Sequence, residues 1–208
     1  MGGGDVESAL RECGGEPGVK LIETVLWDGA TAPRWALHAA RLRRSAAMLG
    51  WGCPEVLPAG PKQPARLRLT LDRMGGVEWT VSALPAAKAD WRVGLASDRL
   101  RSGDPWLRVK STRREVYDRA RAALPEGLDE VLFLNERGEV CEGTITSVFF
   151  DRGQGMRMPP LASGLLPGVL RAELGCPEEV LMAEDLPRVR LWVGNALRGL
   201  IPAVVIFG

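Results

Sequence analysis

Lys110 and Glu142 are the two residues whose settings call for chemistry. Lys110 follows the apolar Val109 and precedes STRRE, where a helical pattern starts, so it stands at a strand-to-helix junction. A lysine held there can lose hydration; its pKa then falls and the amine is freed as a nucleophile or base. The plainer reading is a solvated lysine near a helix start. Glu142 lies inside EVCEGTITSVFF, residues 139–150, which alternates like a strand and ends in an apolar run. Thr144, Thr146 and Ser147 follow it as a small hydroxylated cluster. A buried carboxylate is costly unless a donor or cation meets it. Either Glu142 sits on a strand edge facing water, or something positive pairs with it.

Together the two residues suggest one chemistry. A lysine at the end of a strand and a glutamate in a strand about 30 residues later are the pair that a pyridoxal phosphate site needs. The amine anchors the cofactor covalently. The carboxylate pairs with the ring nitrogen and keeps it protonated, so that the ring can accept electrons.

The elements that must position this pair are legible in outline. VKLIETVLW (19–27) reads as a strand closed by a DGA turn at 28–30. In 35–51, Leu37, Ala40, Leu42, Ala46 and Leu49 fall at helical spacing, with Gly50 as a stop. Residues 54–64 form a proline-broken loop, and 65–84 alternate on both sides of MGG, which reads as a hairpin. WRVGLAS is a short strand before the loop DRLRSGDP, where the domain boundary is placed. This gives a flexible N-terminus over 1–18, a small α/β domain over 19–100 and a larger cofactor-binding domain over 101–208.

Beyond the boundary, WLRVK (106–110) reads as extended and 111–124 as a helix. Thr112 and Glu115 have capping-box spacing, with Val116, Ala120 and Leu124 on one face. Residues 130–143 form a hairpin turning at Asn135–Gly138, and ITSVFF continues as a strand. VLRAEL (169–174) is a short helix, and two apolar runs around GNALRG close the chain. Strands and helices mix throughout, so the class is α/β in the broad, α+β-mixed sense.

Bulk composition narrows the function classes. The 208 residues allow one large domain or two small ones, and 46% hydrophobic with 25% charged content gives a packed core. A net charge of +1 argues against a dedicated nucleic-acid or polybasic membrane binder. Of the 27 basic residues only Lys20, Lys62, Lys88 and Lys110 are lysines. Cys13, Cys53, Cys141 and Cys176 fit no CxxC pattern and His38 is the single histidine, so no metal site is expected. No apolar run reaches the ~20 residues of a membrane span and no leader pattern opens the chain, so a cytoplasmic, reduced protein is expected.

Six stretches, in this order, resemble the class IV (fold type IV) pyridoxal phosphate enzymes. They are LIETVLW, HAARLRRSAAMLGW, SGDPWLRVKSTRREVYDRAR, LDEVLFLNERGEVCEGTITSVFF, SGLLPGVLRAEL and LWVGNALRGLIPA. Within that class the chain is most similar to aminodeoxychorismate lyases. The resemblance implies two α/β domains around a cofactor cleft and a homodimer. It makes Lys110 the covalent anchor of pyridoxal 5'-phosphate and Glu142 the partner of the ring nitrogen. It assigns the phosphate to Arg41, in HxxRL, and to backbone N–H groups at Val169 and Leu170; a planar guanidinium and a helix start both suit an anion. It places Asn195 near the cofactor, Thr144 and Thr146 beside cofactor or substrate, and Glu23 and Thr24 toward the substrate. Arg108, Arg113 and Arg198 are candidates for substrate carboxylates.

Plainer readings stand beside these. Arg41 shares a basic helix with Arg43 and Arg44, GLLPG could be only a turn, and Asn195 could satisfy its own backbone. His38 is read as structural and Cys141 as packing, since alternation points it away from Glu142. Aminotransferase relatives place a tyrosine a few residues after the lysine; here position 115 is Glu, and Tyr117, the single tyrosine, is read as core packing. Relatives also carry a further strand before the LIET-like motif, so the small domain is expected to be trimmed. The resemblance implies a lyase releasing pyruvate and 4-aminobenzoate for folate synthesis. The alternatives are a branched-chain or D-amino-acid aminotransferase, and a non-catalytic binding protein on the same fold.

Overall fold

The computed structural model describes Leu10, Glu16 and residues 18–207, so most of the expected flexible N-terminus, Cys13 included, lies outside the described residues. The chain divides into two compact units. The first runs to Ala86 and takes in Arg108–Arg113; the second comprises Ala87–Leu107 and Arg114–Gly208.

In the first unit, β1 (Leu21–Trp27), β2 (Ala65–Leu71) and β3 (Val77–Ser82) form an antiparallel sheet in that order, with the helix α1 (Trp35–Leu49). ARLRLTL shows why β2 forms: Ala65, Leu67, Leu69 and Leu71 are buried while Arg66 and Arg68 between them are exposed. The helix buries His38, Arg41, Leu42, Ser45, Ala46 and Leu49 and ends at Gly50. That glycine, at φ 70°, turns its N–H back to the last carbonyls.

The segment 108–113 belongs to this unit because it pairs with the start of β1. The Ile22 N–H donates to the Lys110 carbonyl and the Thr112 N–H to the Lys20 carbonyl, both at 2.8 Å. The division therefore falls at 86/87, with an excursion at 108–113, rather than at 100/101. Two local expectations also change. Pro105–Arg108 is a 3-10 turn rather than extended chain, with Asp104 accepting the Trp106 N–H at its start. Thr112 does not cap the next helix; its hydroxyl accepts the Lys20 N–H at 2.9 Å, and that helix starts at Glu115 behind Arg114 with no side-chain cap.

The second unit holds β4 (Trp91–Leu100), α2 (Glu115–Ala122), β5 (Glu130–Asn135), β6 (Val140–Gly143) and β7 (Ser147–Asp151), then β8 (Met156–Arg157), α3 (Val169–Leu174), β9 (Arg190–Asn195) and β10 (Gly199–Val205). Its sheet order is β6-β5-β4-β10-β9-β7-β8, and β6 also pairs with β7, so the sheet closes on itself. Strand β4 runs parallel to both β5 and β10; the other pairings are antiparallel. Val93, Leu132, Leu134, Val148, Phe150 and Val193 fill one core. Leu100, Phe133, Cys141 and Leu165 form another, against which Val116, Tyr117 and Ala120 of α2 pack. The class is mixed α/β, as the sequence leads one to expect. Among the described residues no helix is long and apolar enough to cross a membrane.

Candidate active site

Strands β5 and β6 each carry a buried carboxylate, and the two are used differently. Glu142, on β6, is 6% exposed. The Tyr117 hydroxyl donates to its Oε1 at 2.7 Å and the Leu166 N–H to its Oε2 at 3.2 Å. These two donors, one on each oxygen, orient the carboxylate. Cys141 points the other way into the core, as alternation requires, with its Sγ 3.2 Å from the Ser163 carbonyl. Burial pushes its thiol up to about 12, so it is inert packing.

Glu130, at the start of β5, is fully buried and was not singled out by the sequence. It accepts the hydroxyls of Thr144 at 2.5 Å and Thr146 at 3.0 Å, and the N–H groups of Ile145 at 3.2 Å and Val131 at 3.1 Å. It therefore holds three successive residues of the turn that follows Glu142. The hydroxyls of Thr144 and Thr146, assigned to cofactor or substrate by resemblance, thus face a carboxylate of the protein. The signal that could have found Glu130 is an acidic residue opening an apolar run, EVLFLN, a relative of the mid-strand carboxylate that marks Glu142.

The same turn is braced from outside. Asn195 Nδ2 donates to the Ile145 carbonyl and Arg114 Nη2 to the Thr144 carbonyl, both at 3.0 Å. Asn195 Oδ1 also accepts the N–H groups of Leu197 and Arg198. The bonds to Leu197 and Arg198 are those of a turn residue satisfying its own backbone, while the bond to Ile145 reaches 50 residues along the chain. The Arg198 guanidinium lies over the Trp91 ring, 5.4 Å from its centroid.

Helix α3 begins three residues after Leu166, whose N–H donates to Glu142. Gly168 precedes it in an extended conformation, and no side chain caps the helix start at Val169 and Leu170. A Cβ on Gly168 would come within 2.6 Å of Ser147 Oγ, and Ser147 is the β-partner of Glu142. The LLPG segment thus lies against the β6–β7 pair, with backbone donors at one end and a buried carboxylate at the other.

In the first unit, Lys110 is half-buried and its carbonyl is fixed by β1. Arg41 is 5% exposed while Arg43 and Arg44 are exposed, so the solvated-face reading holds for the neighbours only. Its Nε and Nη2 donate to the two oxygens of Glu23 at 2.9 and 2.6 Å, and His38 Nδ1 lies 2.6 Å from Glu23 Oε2. Burial would raise the Glu23 carboxyl, but the Arg41 charge and the bonds from His38 and Arg41 outweigh it and hold it at about 2. Glu23, assigned toward the substrate, is thus a partner of Arg41. Thr24 is half-buried opposite Arg68, and Arg113 pairs with Glu16 at 3.4 Å. Arg108 ends the 3-10 turn.

In the second unit a buried carboxylate and a helix start with no side-chain cap, and in the first unit a lysine fixed through its backbone, are group types that would fit pyridoxal phosphate. Residues 20–206 match the amino-transferase class IV family, and the chain belongs to that family. It is 32% identical over 171 residues to a Schizosaccharomyces pombe protein described as "Putative aminodeoxychorismate lyase", covering 74% of this chain and 72% of that one. A Mesorhizobium loti crystal structure described as a "Putative amino-acid aminotransferase" superposes with TM-score 0.85 at 43% identity, covering 90% of this chain and all of that one. A "Putative 4-amino-4-deoxychorismate lyase" from Legionella pneumophila shares the fold at TM-score 0.78 and 19% identity, covering 89% and 82%. The chain is thus a class IV enzyme of the aminotransferase and lyase group, and its cofactor is pyridoxal 5'-phosphate.

Proposed function

We propose that the chain is a 4-amino-4-deoxychorismate lyase, releasing pyruvate and 4-aminobenzoate for folate synthesis. The observation that carries this reading is the similarity to the S. pombe protein over most of both chains. Position 115 adds support: where aminotransferase relatives carry a tyrosine, this chain has Glu115, exposed on α2.

The roles follow from the residues. Pyridoxal phosphate, when bound, supplies an electron-accepting ring. Lys110 would anchor it, and the Lys110 amine would take the proton from the substrate's amino-bearing carbon. The bond to the enolpyruvyl oxygen breaks as the carbocycle becomes aromatic, and the departing enolpyruvate gains a proton to become pyruvate. Glu142 keeps the ring nitrogen protonated. The backbone N–H groups at Val169 and Leu170, with Arg41, hold the phosphate. Glu23 orients Arg41, and Glu130, through Thr144 and Thr146, shapes the turn beside Glu142. Arg108 and Arg198 remain the candidates for substrate carboxylates. The working form is read as a homodimer in the cytoplasm.

The second reading, a branched-chain or D-amino-acid aminotransferase, is favoured by the M. loti protein's description. The test is direct. The enzyme loaded with pyridoxal phosphate is given aminodeoxychorismate, and pyruvate and 4-aminobenzoate are measured. In parallel it is given branched-chain or D-amino acids with 2-oxoglutarate. Equimolar pyruvate and 4-aminobenzoate support the lyase; glutamate formation without pyruvate release overturns it.

A further inference from the structure

Tyr117 is the single tyrosine of the chain, and the roles above do not use it. It projects from the first turns of α2, seven residues after Lys110 in the sequence. Its ring meets Phe133 edge-on at 5.1 Å between centroids, and the Arg114 guanidinium lies 5.6 Å from its centroid. Leu100, Phe133 and Leu165 form the core it packs on. So far this is packing. The hydroxyl, however, ends 2.7 Å from Glu142 Oε1. Burial, with the Glu142 charge next in weight, pushes the phenol far above its ordinary range. The phenol therefore stays protonated at every working pH and can only donate to the carboxylate.

We propose that Tyr117 is a positioning residue for Glu142, its hydroxyl fixing Oε1 so that the carboxylate meets the cofactor ring in one orientation. The inference rests on Glu142 being the ring's partner. Three features argue for more than a satisfied buried phenol. The ring packs edge-on against Phe133 and beside the Arg114 guanidinium, so packing on both sides sets where the hydroxyl lies. The bond spans from a helix to a strand, 25 residues apart in sequence. The other oxygen of Glu142 is held by a backbone N–H at Leu166, so the two donors define the plane of the carboxylate. A carboxylate held by two fixed donors is pre-organised, and that ordering does not have to be supplied when the ligand binds.

A double-mutant cycle on cofactor affinity separates positioning from packing. Tyr117→Phe keeps the ring and removes only the hydroxyl. Its dissociation constant for pyridoxal phosphate, read by absorbance titration, is compared with the native protein, with Glu142→Ala and with the double variant. Losing one hydrogen bond to a charged group is expected to weaken affinity about fivefold in the Glu142 background, and by less than about 1.5-fold when residue 142 is Ala. Replacing Glu142→Ala by Glu142→Leu repeats the cycle with less cavity. Equal losses in both backgrounds mean that Tyr117 acts through packing and overturn the proposal, as does no loss in the first. If Glu142→Ala binds pyridoxal phosphate as tightly as the native protein, the assignment of Glu142 fails, and this inference with it.

Discussion

Replacing Glu130 by Gln tests the claim that a buried carboxylate shapes the turn after Glu142. One oxygen accepts the Val131 N–H and the Thr144 hydroxyl; the other accepts the Ile145 N–H and the Thr146 hydroxyl. Glutamine keeps the volume but turns one oxygen into an NH2 donor. Either threonine can rotate its hydroxyl to accept from that NH2. The backbone N–H groups cannot, so in either orientation one buried N–H of Val131 or Ile145 faces another donor. An unsatisfied buried donor costs about 1–3 kcal/mol, so a loss near 2 kcal/mol is expected. For a chain of this size that lowers the unfolding midpoint by roughly 4–8 °C. Thermal unfolding of the cofactor-free chain, followed by circular dichroism, measures it. Thr144→Val and Thr146→Val should each cost less, because each removes one donor together with its need for an acceptor. A Glu130→Gln midpoint unchanged within about 1 °C would mean that the carboxylate does not hold the turn, since the loss of about 2 kcal/mol leaves no room for it.

Three further outcomes follow. Glu142→Gln should fold and bind pyridoxal phosphate but lose roughly 100-fold or more in turnover, because a neutral amide does not hold the ring proton; steady-state product assays check this. Glu23, held at about 2 against an ordinary 4.5, contributes stability on the order of 3 kcal/mol. Its folded value is depressed, so that contribution is full above about pH 4.5 and disappears as pH falls through about 2. Urea unfolding of native and Glu23→Gln chains should therefore differ at pH 6 and converge as pH approaches 2. Arg41→Lys should weaken cofactor affinity and also lower the unfolding midpoint, because an ammonium cannot reproduce the two-pronged contact to Glu23; affinity and midpoint are read by absorbance titration and thermal melting.

How much of this was legible in the sequence depends on the range of the contact. Local pattern placed β1, α1, the hairpin around Met74–Gly76, the β5–β6 turn and α3 close to their observed bounds, because leucine alternation, Gly50 and Gly138 act on near neighbours. Long-range pairing was not legible. Nothing in WLRVKST announces that the Lys110 carbonyl receives the Ile22 N–H, and that pairing draws 108–113 into the first unit and takes Thr112 from its expected cap. At the site, alternation correctly sent Cys141 into the core and Glu142 away from it. Spacing could not reveal that Thr144 and Thr146 turn toward Glu130, because residue 130 lies on the neighbouring strand and meets them only through sheet register. The spacing of Tyr117 implies packing, and its ring does pack; only the fold brings its hydroxyl to Glu142.

Lys110 as the cofactor's anchor is directly testable, because the chain has only four lysines. The purified protein, incubated with pyridoxal phosphate, is treated with borohydride, digested and sequenced by mass spectrometry. The reduced adduct is expected on the peptide containing Lys110, and none in Lys110→Ala. Stoichiometric labelling of Lys20, Lys62 or Lys88 instead, or no labelling at all, would contradict it.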